Sequence, residues 1–139
     1  MANRDGSNEK KILWAKVPTA ISSNTTTASN IIDTQGFDTV TFVVTASAYT
    51  DGTYTPALSE SNDSGMSGEN DVADAEMTRL ESAAAVSAAT TNSTDASKKI
   101  GYLGNKRYVT CDIVSTGTSS GATVGVLAIL ENANVQPVA

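Results

Sequence analysis

The chain reads as all-β, an antiparallel β-sandwich with extended arms at its N- and C-termini. Three observations carry that reading. Residues 38–46 (DTVTFVVTA) set Val40, Phe42, Val44 and Ala46 against Thr39, Thr41 and Thr45, the period of two of a half-buried strand rich in β-branched residues. About eight short segments of this kind are separated by turn signals such as Asp51-Gly52 and Gly104-Asn105. No segment combines the length and apolar period of a stable helix, because the alanine-rich residues 82–90 are uncapped and too short to hold one in water.

Residues 1–20 read as an arm with an anchor. The first eleven carry charge, glycine and asparagine and little to bury. Residues 12–17 (ILWAKV), stopped by Pro18, are either a first strand or an apolar anchor laid along a neighbouring subunit, and both placements bury Trp14. The sandwich is expected over residues 21–131, followed by a polar tail, 132–139, that contains Pro137.

Within the body, residues 22–29 form a loop, 30–33 a short strand and Gln35-Gly36 a turn into the strand at 38–46. In residues 53–59 (TYTPALS), Pro56 has no N–H to donate, which places that strand at a sheet edge. Residues 60–81 hold seven of the chain's fifteen acids among glycines and serines, and within them residues 72–80 (VADAEMTRL) offer a strand end and a helical turn with Met77 and Leu80 tucked inward. Residues 100–103 and 106–114 read as a hairpin across Gly104-Asn105. On its return Val109, Cys111 and Ile113 face the core, and Tyr108, Thr110 and Asp112 face away. Residues 122–131 are apolar on both faces, the mark of a central strand covered on each side. Such a count of strands predicts a jelly roll or another antiparallel sandwich, with edges that invite pairing with neighbours or a donated arm.

Composition narrows the function. Histidine is absent, which removes serine-histidine and cysteine-histidine catalysis and imidazole metal sites. Carboxylate pairs, Asp71 with Asp74 or Asp74 with Glu76, are the residual route to catalysis, and a solvated acidic loop accounts for them better. Residues 60–71 (ESNDSGMSGEND) have the oxygen-rich composition calcium favours but not the ligand spacing of an EF-hand. A net charge of -6 opposes binding to nucleic acid. The lone Cys111 excludes an intrachain disulfide and reads as core, and neither a secretory signal nor a membrane-length apolar run is present, so a soluble protein made in the cytoplasm is expected. Lys98-Lys99 and Lys106-Arg107 bracket the hairpin; they either solubilise it or meet acids on a partner, where Arg107 offers a bidentate pair.

Taken together and in order, DTQGFDTVTFVV (33–44), GTYTPALSESNDSG (52–65), VADAEM (72–77), IGYLGNKRYVTCDIV (100–114) and the last apolar strand with its tail ending in QPVA resemble the jelly-roll cement or decoration proteins of tailed-bacteriophage capsids. The resemblance covers most of the chain from residue 30 onward. It implies a jelly roll without enzymatic activity or cofactor, bound to the outer surface of a virion capsid across capsomer seams. The partners it implies are the major capsid protein and the chain itself, as a dimer or a trimer, with no nucleic acid and no membrane. Trp14, Lys106, Arg107, Tyr108 and Pro137 are the expected partner-binding residues. A carbohydrate- or receptor-binding module and a neck or tail component stand as the alternatives.

Overall fold

The computed structural model describes residues 6–72, 90–94 and 96–135. Nine strands account for the regular structure among them: β1 (Lys11–Ile21), β2 (Thr26–Thr27), β3 (Ile32–Asp33), β4 (Phe37–Ser47), β5 (Thr53–Ser61), β6 (Asn70–Asp71), β7 (Ala96–Tyr102), β8 (Tyr108–Thr116) and β9 (Ala122–Ala133). They form two antiparallel sheets. One runs β1-β9-β4-β7; the other runs β2-β8-β5-β6, with β3 following β2 along the same edge of β8. With β2 and β3 taken as one broken strand, this interleaving is the jelly-roll order of two four-stranded sheets.

The core lies between the sheets and is built by simple alternation. From the first sheet come Val40, Phe42 and Val44 of β4 and Val124, Val126, Ala128 and Leu130 of β9; from the second come Tyr54 and Leu58 of β5 and Val109, Cys111 and Ile113 of β8. Burying each large side chain contributes about 1.5–3 kcal/mol, which is why the strands with the cleanest alternation hold the centre. β9 is central, paired with β1 and β4, as its apolar content requires.

Pro56 does not make β5 an edge strand, since β5 lies between β8 and β6, but its missing N–H still falls where no partner needs it. Tyr54 exchanges backbone hydrogen bonds with Thr91, and the Leu58 carbonyl accepts from the Val72 N–H, so the even-numbered backbone groups of β5 point away from β8. The missing N–H of Pro56 therefore falls on the outer side, which the two-residue β6 covers only at Ser59 and Glu60.

Other expectations are corrected. Lys11–Ile21 is the edge strand of this chain's own sheet, so the sandwich begins at residue 11, and β9 continues to Ala133. Pro18 does not stop β1. The strand shifts register at Ala15 and again between Lys16 and Thr19, and Pro18 folds over Gly125, whose absent Cβ makes room for it. Nor do β7 and β8 form a hairpin: β7 pairs with β4 and β8 with β5, so residues 103–107 cross between the sheets. A two-residue turn with glycine first needs positive φ there, and Gly104 does not have it. Its lack of a side chain serves another end, since a Cβ at Gly104 would lie 2.4 Å from the Tyr102 hydroxyl. Residues 73–89, which include Asp74, Glu76, Met77 and Leu80, lie outside the described residues, as does Pro137.

Side chains close the body. Between β2 and β3 the ladder lapses, and the Asp112 carboxylate and Ser29 hydroxyl replace it, accepting from the Ser29 N–H at 2.8 Å and the Cys111 N–H at 2.9 Å. Asn30 then reaches the other sheet, donating to the carbonyls of Ala15 (2.6 Å) and Trp14 (3.1 Å). At the corner between β4 and β5, the Asp51 carboxylate accepts from the Ser119 hydroxyl and from the N–H groups of Ser119, Ser120 and Gly121. Led by the Ser119 hydroxyl, these donors hold the Asp51 carboxyl well below the usual carboxylate range. Gly121 (φ +89°) passes so close to the Ile21 carbonyl that a Cβ would lie 1.9 Å from it.

Candidate interaction face

The odd-numbered side chains of β4, β7 and β9 point out of the four-stranded sheet, and β1 adds Ile12 and Trp14 to the same face. Register aligns them in rows. One row runs Trp14, Leu127, Val43, Lys99 and the next Ile12, Ile129, Thr41, Gly101 across β1, β9, β4 and β7. Trp14 is 43% exposed, Ile12 61% and Val17 54%, while Val43, Leu127 and Ile129 are half-buried by their neighbours. A contiguous apolar patch rimmed by polar groups marks an interaction surface.

The face has relief as well as chemistry. Along β1 the large side chains of Ile12 and Trp14 form a ridge. Toward β7 the surface sinks into a groove of about 760 Å³ lined by Thr39, Thr41, Lys99, Gly101, Leu103 and Glu131. Glu131, the carboxylate among the outward residues of β9, pairs with Lys10 at 3.1 Å.

Of the residues expected to bind a partner, Trp14 belongs to this face, half exposed on β1 rather than buried. Arg107 does not offer its fork to a partner. Its Nε and Nη2 donate to the two carboxylate oxygens of Asp33 at 2.9 and 2.7 Å, and its guanidinium lies 4.9 Å from the centre of the Tyr108 ring. That pair holds the Asp33 carboxyl below its ordinary range and raises Arg107. Lys106 lies on the crossover, its backbone N–H donating to the Tyr102 hydroxyl at 3.0 Å, and that hydroxyl donates to the buried Glu60 carboxylate. The crossover residues thus join the two sheets to each other.

Val43, Leu127, Ile129 and Ile12 were not anticipated as a surface, yet two signals pointed there. Val43 breaks the threonine series Thr39, Thr41, Thr45 on the outer face of β4, and residues 122–131 carry a second apolar face. Among the described residues that second face remains partly exposed.

Asp63 caps its own loop, accepting from the N–H groups of Gly65 and Ser67, and among the described residues no group of three carboxylate or thiol side chains gathers around a metal-sized space. Cys111 is fully buried, and burial pushes its thiol well above the ordinary range. Among the described residues no helix is long and apolar enough to cross a membrane.

No protein-family model and no curated protein matches the chain in sequence. Among solved structures, its fold is similar to that of the SPBc2 prophage-derived protein YomS, with a TM-score of 0.52 and 14% identity over 89% of this chain and 94% of that one; at such identity the likeness is one of fold.

Proposed function

We propose that the chain is a structural protein of a tailed-bacteriophage particle: a cement or decoration protein that binds the outer surface of the capsid across capsomer seams. The observation that supports this reading most is a jelly-roll body, similar in fold to a prophage-derived protein, whose described residues leave one sheet face rich in apolar side chains for self-association. Its work is binding, with no reaction of its own, in keeping with a sequence that lacks histidine. The net charge of -6 suits the outside of a shell packed with DNA.

Packaged DNA pushes capsomers apart at their seams. A rigid clamp resists that motion when it gains more contact in the closed arrangement than in the open one. Patches of about 800 Å² per partner suffice, because two patches on one self-associated unit reinforce each other through effective concentration. The partners are the major capsid protein and a second copy of the chain.

Sedimenting undecorated heads with the purified chain tests the proposal. The expected result is on the order of hundreds of bound copies per head, as shell symmetry requires, and retention of DNA to a higher temperature than in bare heads. Absence from the pellet, or about a dozen copies confined to one vertex, would replace this reading with a receptor-binding or a neck role.

A further inference from the structure

We propose that the outer face of the β1-β9-β4-β7 sheet is the surface on which two copies of this chain pack, face to face, about a twofold axis running along the strands. It rests on the self-association included in the capsid reading, and it is tested on the protein alone in solution. Edge pairing, the usual way for sandwiches to associate, is blocked at both ends of the sheet. β1 is distorted by two register shifts and carries Pro18, and Asn30 occupies the carbonyls of Trp14 and Ala15; β7 presents Lys98 and Lys99 side by side. Bulges, proline and lysine are the features by which sheet edges refuse another strand. What remains is the face.

The face is complementary to itself. A twofold axis along the strands, passing between β9 and β4, lays β1 of one copy over β7 of the other while keeping each row opposite itself. The ridge residue Ile12 then stands over the dent at Gly101, and Trp14 over Lys99, a cation placed against an indole. Leu127 of each copy then lies over Val43 of the other, and the two leucines flank the axis. Because the axis acts twice, each copy's ridge fills the other's groove, the self-matching that a twofold interface requires.

The dimensions fit. Four strands at about 4.8 Å spacing and about nine residues at about 3.3 Å each cover a footprint of roughly 600 Å². Side-chain relief raises the accessible area toward the ~800 Å² per partner of a specific complex. Charge does not oppose the contact, since Glu131 is already paired with Lys10.

Light scattering and sedimentation equilibrium on the full chain provide the test. The wild type is expected at twice its 14.3 kDa chain mass. Leu127→Lys, which buries a charge against Val43 of the other copy and places two lysines on either side of the axis, is expected to weaken the dimer at least about a hundredfold with its far-UV circular dichroism unchanged. Thr55→Lys, on the opposite sheet, is expected to remain dimeric. A monomeric wild type, a dimeric Leu127→Lys, or dissociation by Thr55→Lys would each overturn the proposal. If the wild type is monomeric yet sediments with heads and Leu127→Lys does not, the face belongs to the capsid instead. A readout free of folding defects is Trp14 emission in the wild type, which should shift to the red on dilution through dissociation; emission independent of concentration would also overturn it.

Discussion

The two outer faces of the sandwich differ in what they show to solvent. On the five-stranded sheet the outward side chains are Thr53, Thr55, Ala57 and Ser59 of β5 and Tyr108, Thr110, Asp112, Val114 and Thr116 of β8, polar or small with Val114 the one large aliphatic among them. On the four-stranded sheet Ile12, Trp14, Val43, Leu127 and Ile129 hold the equivalent places. Both sheets obey the same alternation and bury the same kind of inner face, so folding explains the first outer face and leaves the second with more apolar surface than it needs. That excess is what a partner would cover.

The largest expected effect tests whether inner and outer roles are as distinct as the alternation implies. Phe42→Ala, inside, should cost about 3–5 kcal/mol in urea unfolding, and Val43→Ala, one residue on and outside, less than about 1 kcal/mol at a concentration where the chain is monomeric. Comparable losses at the two positions would erase the distinction.

A smaller effect is expected at the corner that fixes the sheets relative to each other. Asp51→Asn should lower the melting temperature at pH 7, because the ionised carboxylate accepts the hydrogen bonds of Ser119, Ser120 and Gly121. Its folded pKa is depressed below the ordinary 3.8. The contribution is therefore complete above that value and is lost as pH falls through the folded one. The gap between wild type and variant should be constant from pH 5 to 7 and narrow below about pH 4; a gap that widens in acid would contradict the assignment.

The smallest effect belongs to the polar sheet. Asp33 and Arg107 are bonded bidentately, but each side chain is more than 40% exposed, so Arg107→Ala should lower the melting temperature only slightly. Asp33 is likewise held below its ordinary range by Arg107. The difference should therefore be full at neutral pH and fade as the solution is acidified below 3.8. Loss of the dimer in this variant would show that the two faces are not independent.

Much of the fold was legible because its strands obey a local rule. Residues 38–46 announced β4, and Val109, Cys111 and Ile113 announced the inner face of β8, whereas Pro56 marked a gap in a ladder and not an edge, since β5 lies between β8 and β6. What escaped depends on contacts distant in sequence. Gly104-Asn105 has the letters of a tight turn, but the ring of Tyr102 passes over Gly104, so the glycine is there for space and the chain crosses to the other sheet. Arg107 was offered to a partner because nothing local indicates that Asp33, 74 residues earlier, lies within reach. Trp14 was assigned to the interior on hydrophobicity alone, and residues 11–14 alternate Lys11 and Leu13 against Ile12 and Trp14 without revealing which pair faces inward.

The thiol of Cys111 lies at the middle of β8, fully enclosed, on the strand that pairs with β2, β3 and β5. A labelling reagent can reach it only when the two sheets come apart, so its rate of modification reports the opening of the whole sandwich and not the fraying of a loop. Nature has thus left a single chemical clock inside the molecule. Compared between the free protein and the protein bound to a partner, its rate would measure how firmly that attachment holds the jelly roll shut.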